Sequence, residues 1–309
     1  MLEKLQLHTL ILSAWRASLS KRLPWIFGSL LAIAGVIESR IAARLPDTAS
    51  FPEFLNIISE KNGEALFSFL LIFIFLFSLE IFGKSNLIVS LSFVTGKTNL
   101  PNYPDKLAAM GKNFFRMLLL ECLALFFLLA VTLIFSLPFL IASSKNPEAM
   151  DTLLGLGLLA FLPITIVVFF IWQFALFYLL LSPLRIRGSI EAGSSLFSRF
   201  IFPSLLFGLF SFALTALFTF CTNIIILGIT ALSERAGLPL GTTAATLVVG
   251  LVFFTWFFIF QQALWLAFFR SIAGPPRLGE AGQDKTEELI KEKEPVLDNQ
   301  TLPEIPPAQ

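Results

Sequence analysis

Residues 153–181 read LLGLGLLAFLPITIVVFFIWQFALFYLLL, a stretch without a charged side chain. A helix needs about 20 mostly apolar residues to cross the hydrocarbon core of a bilayer. In lipid the backbone N–H and C=O groups must bond within their own segment, and a helix achieves this. The stretch therefore predicts a membrane-spanning α-helix, and it decides the fold class of the chain.

Further apolar stretches of similar length lie on both sides of this one. Hydrophobic residues make up 56% of the chain and charged residues only 14%, whereas a soluble domain carries about 25% charged residues. We therefore expect an all-α, polytopic membrane helix bundle with six transmembrane helices. The predicted spans are residues 23–43, 65–83, 117–142, 153–181, 201–232 and 244–269.

Lysine and arginine are distributed unevenly between the two sides of these spans. The amino-terminal segment and the connections after the second and fourth spans hold 12 basic residues, and the other loops hold 5. Because short basic loops stay in the cytoplasm, both termini are predicted to be cytoplasmic. Residues 1–273 then form the membrane domain. Residues 274–309, rich in proline and acidic residues, are predicted to be a disordered cytoplasmic tail.

Three short segments resemble one another, and each precedes an odd-numbered span. Each has an alanine, a large apolar residue five places on and a basic residue seven places on. The inferred unit is an interfacial helix plus two spans, used three times. Two crossings return the chain to the same side, so the units would be parallel repeats. The segments are residues 14–21, 109–116 and 192–199.

The basic residues of these segments lie at the predicted cytoplasmic boundary. Anionic lipid headgroups attract basic residues at that depth, and neighbouring apolar side chains can enter the headgroup region. One interpretation is a lipid-headgroup site, and the other is orientation and anchoring alone. The candidate lipid-contact residues are Lys21, Arg22, Arg116 and Arg199.

Polar residues inside the spans form a candidate intramembrane cluster. Glu80 and Lys84 are four residues apart on one helix face, so they can pair, and Glu121 can face Arg116 or a neighbour. One interpretation is a site for a headgroup, a solute or a proton. The other is hydrogen bonding that fixes helix packing. The candidate members are Glu80, Lys84, Glu121, Gln173, Gln261 and Gln262.

Catalytic and cofactor motifs are not recognisable in the chain. His8 is the only histidine and has no nucleophile motif beside it. The Gly96–Lys97–Thr98 triplet lacks the earlier glycine of a phosphate-binding loop, since Leu91 stands there. A net charge of +1 gives no basic field for nucleic acid. We expect no enzyme activity, no cofactor, no metal and no nucleic-acid partner.

Two stretches carry a resemblance to a known family. Residues 188–200, which begin GSIEAGSSLF, and residues 14–28 resemble uncharacterised bacterial polytopic membrane proteins. These in turn are similar to the membrane domain attached to some glycerophosphoryl diester phosphodiesterases. The resemblance implies a bacterial inner-membrane location. It implies no phosphodiesterase activity, because the soluble catalytic domain is missing.

Together these observations favour a non-enzymatic integral membrane protein with a structural, regulatory or lipid-interacting role. Its expected partner is the lipid bilayer, with a preference for anionic headgroups. The alternative is a small-solute or lipid transporter with an inner-leaflet polar site. The parallel repeat and the polar cluster motivate that alternative.

Overall fold

The computed structural model describes residues 7–19, 22–42, 62–95, 103–145, 150–235 and 239–273. Within these ranges every regular element is an α-helix, which confirms the all-α class. The predicted tail and Lys21 lie outside them. The helices are α1 (Leu7–Leu19), α2 (Arg22–Ala42), α3 (Asn62–Thr95), α4 (Tyr103–Lys145), α5 (Met150–Leu181), α6 (Ile186–Arg199), α7 (Ile201–Arg235) and α8 (Pro239–Ala273).

Five of these helices are long and apolar enough to cross a membrane. A sixth crossing is counted only if α1 and the Arg22–Glu38 part of α2, which meet at 92°, form one bent span. Charged residues near both ends of α2 shorten its apolar stretch, so α2 by itself is not counted as a membrane span. The five spans are Leu70–Val94 in α3, Gly111–Phe135 in α4, Phe161–Leu181 in α5, Ile201–Leu232 in α7 and Leu247–Ala273 in α8.

Helices α3, α5 and α8 pack against one another, whereas α2, α4 and α7 pack around them. The apolar windows of α3, α5 and α8 are each 39% buried, against 6% for α4 and α7. Helices α4 and α7 therefore turn most of their large apolar side chains away from the protein. Phe126 of α4 is 71% exposed and Phe212 of α7 is 72% exposed. Lipid is the solvent in which such a surface is stable.

The packed core lies in the carboxyl-terminal halves of the three inner helices. Aromatic side chains interlock there, and Phe207 of α7 stacks on Phe268 of α8 with ring centroids 4.0 Å apart. The other half of α3 is different, because residues 70–75 are all exposed. Six consecutive residues cover every face of a helix. This half of α3 therefore stands apart from the core.

The short helices α1 and α6 each pack against an inner helix. Trp15 of α1 meets Trp256 of α8 edge-on with centroids 5.2 Å apart. Phe197 of α6 stacks on Phe170 of α5 at 5.4 Å. The middle segment, residues 109–116, is continuous with its span in α4 and forms no separate helix. Its Phe114 still contacts an inner helix, at Phe82 of α3.

Proline placement explains why the middle segment differs from the other two. A proline cannot donate to the carbonyl four residues earlier, so a helix does not pass through it unperturbed. Pro203 follows the break between α6 and α7 at Phe200, and Pro24 lies in the first turn of α2. In α4 the residues between Pro104 and Pro138 include no proline. The helix therefore continues through Arg116.

Candidate functional site

Lys84 and Glu121 form an ion pair inside the bundle, between α3 and α4. The ammonium lies 3.7 Å from the Glu121 carboxylate, and the two side chains are 14% and 13% exposed. A second ion pair, Arg187 with Glu191, has side chains that are 92% and 64% exposed. Burial of both charges makes breaking the Lys84–Glu121 pair costly, because the remaining charge would have no counterion.

The pair lies near the middle of two candidate membrane spans, Leu70–Val94 and Gly111–Phe135. At 1.5 Å per helical residue, Lys84 is about 15 Å from Val94, where its span ends. Glu121 is likewise about 15 Å from Gly111, where its span begins. The hydrocarbon core of a bilayer is about 30 Å thick. The two charges therefore lie at corresponding distances from the ends of their candidate spans, and Lys84, which the sequence placed just after the second span, lies within the longer span Leu70–Val94.

Trp172 of α5 completes the surroundings of the lysine. The ammonium of Lys84 lies 4.1 Å from the centroid of the Trp172 ring, which is cation–π distance. The indole Nε1 atom is buried and has no hydrogen-bond partner. The ammonium therefore joins α3, α4 and α5, while one donor beside it is unsatisfied.

Glu80 lies one helical turn from Lys84, yet Lys84 pairs with Glu121. The side chain of Glu80 is exposed. It is close enough to Glu38 of α2 and to Glu121 to repel both electrostatically. The group thus contains three carboxylates and one ammonium. Of the predicted cluster, Glu80, Lys84 and Glu121 are brought together.

The three glutamines of the predicted cluster have separate surroundings. Gln261 donates from Nε2 to Thr215 Oγ1 of α7 at 3.3 Å, so it contributes to packing between α7 and α8. Gln173 is 3% exposed within the core. The Oε1 atom of Gln262 is buried without a partner. No contact joins any of them to Lys84 in the part of the chain that the structure describes.

The predicted lipid-contact arginines divide into two kinds. Arg22 and Arg199 are exposed, and the Arg199 guanidinium lies 5.6 Å from the Phe200 ring. Arg116 instead donates to the carbonyl oxygen of Leu184, in the turn between α5 and α6. Arg116 therefore docks α4 onto a neighbouring connection, a role that its sequence position did not indicate.

Several polar contacts were missed by sequence reasoning. Neither Glu38 nor Trp172 was among the predicted site residues. Asn86 is 2% exposed, with its Oδ1 atom unpaired. Arg270 donates to the carbonyl of Ser92 at 3.2 Å and links α8 to α3. The sequence could have indicated Glu38, because it is a charged residue inside an apolar stretch. It could not have indicated the acceptor of Arg270, because every residue has a backbone carbonyl.

The potential metal ligands of the described helices do not cluster. No group of three or more His, Cys, Asp or Glu side chains in those ranges could hold a metal ion. His8 is exposed on α1. Cys122 and Cys221 are free and exposed, and both lie within apolar spans.

Fold and site together define a class: an α-helical protein whose apolar outer helices surround a packed core with a buried ion pair. No protein-family model, curated protein or solved structure matches this chain.

Proposed function

We propose that this chain is a non-enzymatic protein of a bacterial inner membrane that binds lipid headgroups at its cytoplasmic boundary. The proposal rests on the exposure of Arg22 and Arg199, each placed where a short helix meets a long apolar one. Anionic headgroups attract guanidinium groups at such a boundary. The non-enzymatic role agrees with a site built from one ion pair and an aromatic ring.

The proposed layout has six spans, with α2 as the first and α1 as an interfacial helix before it, and both termini in the cytoplasm. It consists of three units of an interfacial segment plus two spans. Support comes from the packing order, since the second span of each unit is an inner helix. Phe114 and Phe197, at corresponding positions of their segments, each contact an inner helix of another unit. In the first segment the corresponding Leu19 is exposed, and Trp15 makes such a contact instead. The contact of α1 with α8 also joins the first unit to the third.

The lipid role is tested with the purified chain in nanodiscs or vesicles of neutral lipid that contain a minor share of anionic lipid. A basic residue near an anionic surface contributes about 1 kcal/mol, which corresponds to roughly fivefold in affinity. The R22A/R199A double variant should therefore lose about 25-fold of the preference for anionic lipid. R187A is the matched control, because Arg187 is exposed but already pairs with Glu191.

The lipid proposal fails if the unaltered chain shows equal affinity for anionic and neutral lipid. It also fails if R187A and R22A/R199A reduce the preference equally, because the effect would then follow net charge alone. Retention of the anionic preference in R187A and its loss in the double variant support the boundary arginines.

A transporter is the second candidate, and one observation favours it. Glu80 is exposed near mid-depth, where a carboxylate has no favourable contact with acyl chains. A water-filled path beside α3 would explain this exposure. Gln261 does not share such a path, because it bonds to Thr215 of α7. A Glu80→Cys variant should react with a membrane-impermeant maleimide if the path exists, and full protection would exclude it.

A further inference from the structure

Helix α1 presents three different faces around its axis. One face is buried against the bundle, and its members are Leu10, Ala14, Ala17 and Ser18. The exposed remainder divides into two stripes. The apolar stripe consists of Leu12, Trp15 and Leu19, with exposed fractions of 38%, 47% and 55%, and has His8 at its amino-terminal end. The polar stripe consists of Thr9, Ser13 and Arg16. At 3.6 residues per turn the two stripes are centred about 90° apart.

Contacts with α2 and α8 fix the directions in which these faces point. Trp15 meets Trp256 of α8 edge-on with ring centroids 5.2 Å apart. The indole Nε1 of Trp25 in α2 donates to the Ser18 carbonyl at 3.0 Å. Ala14, between these two contacts, is only 1% exposed. Helix α1 therefore cannot rotate to cover its apolar stripe without breaking contacts on two helices.

The corresponding helix of the third unit, α6, has a different exposed face. Its large apolar residue Phe197 is 5% exposed and stacks on Phe170. The exposed face of α6 is polar throughout, and its members are Arg187, Glu191, Ser195 and Ser198. All residues of α6 are described, and none is an exposed large apolar side chain. Water suits such a face, whereas it does not suit the apolar stripe of α1.

The two stripes of α1 indicate what covers the apolar one. A helix in the bilayer interface places apolar side chains at the boundary with the acyl chains and turns its polar and basic side toward the headgroups. Tryptophan is enriched at the same depth. Because α1 meets α2 at 92°, α1 lies along the membrane plane where α2 crosses it. A second copy of the chain would cover the apolar stripe but would leave the parallel polar stripe unexplained.

We propose that the apolar stripe of α1 inserts among the acyl chains of the leaflet in which α2 begins, whereas α6 faces water. The polar stripe of α1 then lies at the headgroups. The inference rests on the membrane location and the layout proposed above. It does not require Arg22 and Arg199 to prefer anionic lipid, because contact with acyl chains is independent of headgroup charge. Short helices at corresponding positions of the first and third units therefore meet different solvents.

Spin labels on single cysteines test the inference in the full chain, with both native cysteines replaced by alanine and with vesicles of neutral lipid only. Molecular oxygen concentrates among acyl chains, whereas a nickel chelate stays in water, so their collision rates report the surroundings of a label. Labels on L12C and L19C should collide more with oxygen than with the chelate. R16C should give a lower oxygen-to-nickel ratio than either. S195C is the matched control and should favour the chelate, because Ser195 is exposed on the polar face of α6.

The other outcomes each overturn the inference. Collisions dominated by nickel at L12C and L19C would place α1 in water. Restricted label motion with little access to either reagent would show that a second copy of the chain covers the stripe. An oxygen-dominated S195C would remove the contrast between α1 and α6. Because the vesicles are neutral, a missing preference for anionic lipid would leave these results unchanged, so the two proposals fail separately.

Tryptophan fluorescence provides a second measurement if a labelled variant fails to fold. All five tryptophans are described, and Trp15 is the exposed one among them. Lipid brominated on the acyl-chain carbons nearest the headgroup quenches an indole that touches it. W15F should therefore lose part of the quenching that the unaltered chain shows. Equal fractional quenching of the two proteins would contradict contact between Trp15 and acyl chains.

Discussion

Gly193 of α6 lies directly against the backbone of Ala175 in α5. A Cβ atom at position 193 would be 2.8 Å from the Ala175 amide nitrogen and 2.8 Å from the Ile171 carbonyl oxygen. Both atoms belong to helix backbone, which cannot rotate aside as a side chain can. This contact, together with the stacking of Phe197 on Phe170, fixes α6 on the inner helix that precedes it.

Replacement of Gly193 by alanine should therefore destabilise the protein, although alanine is the better helix former. Overpacking of a tight contact costs about 1–3 kcal/mol. Thermal unfolding in detergent, followed by loss of helical circular dichroism, measures the change. G228A is the matched control, because a Cβ at Gly228 of α7 would meet nothing within 4 Å. Equal unfolding temperatures for G193A and G228A would contradict the close approach.

The helices could be predicted from the sequence because lipid imposes one rule on every span. A run of apolar residues must form a helix whatever its neighbours are, so residues 153–181 were sufficient to predict α5. No such local rule determines which side chains or helices contact one another. The sequence favoured Glu80 as the partner of Lys84, because it lies four residues away on the same helix, and only the packing of α4 beside α3 selects Glu121. The contact of Gly193 with Ala175 likewise depends on how α6 folds back.

The two carboxylates should substitute for one another in stabilising Lys84. Removal of one partner of a buried ion pair costs about 3–5 kcal/mol when no replacement exists. E121Q alone should cost less, because Lys84 can then pair with Glu80. The E80Q/E121Q variant should reach the full cost and exceed the sum of the two single variants. Thermal unfolding of the four proteins in a double-mutant cycle measures this coupling.

The Arg187–Glu191 pair is the control for that cycle. Its side chains are 92% and 64% exposed, and exposed pairs contribute about 1 kcal/mol or less. R187A and E191A should accordingly change the unfolding temperature little, alone or together. Strict additivity of E80Q and E121Q would show that Lys84 does not exchange partners.

Cys122 and Cys221 should be shielded by lipid although both are exposed on the protein surface. They lie within the spans Gly111–Phe135 and Ile201–Leu232. In intact vesicles neither should react with a membrane-impermeant maleimide, and both should react after solubilisation in a denaturing detergent. A Ser198→Cys variant, exposed outside the spans, provides the positive control. Labelling of either native cysteine in intact vesicles would show that water reaches its helix.

Substitutions of Arg116 and Arg199 should affect different properties: the first the stability of the protein, the second its preference for anionic lipid. Arg116 donates to the Leu184 carbonyl and links α4 to the turn after α5, and a hydrogen bond to a charged group contributes about 1.5–3 kcal/mol. R116A should therefore lower the unfolding temperature and leave the anionic-lipid preference largely unchanged. Arg199 is exposed beside Phe200, so R199A should weaken that preference without a loss of stability. The two residues hold corresponding positions in their segments, seven places after an alanine, and this makes each the natural control for the other. Identical effects of R116A and R199A in both measurements would mean that sequence position, rather than the contacts of each guanidinium, determines the role.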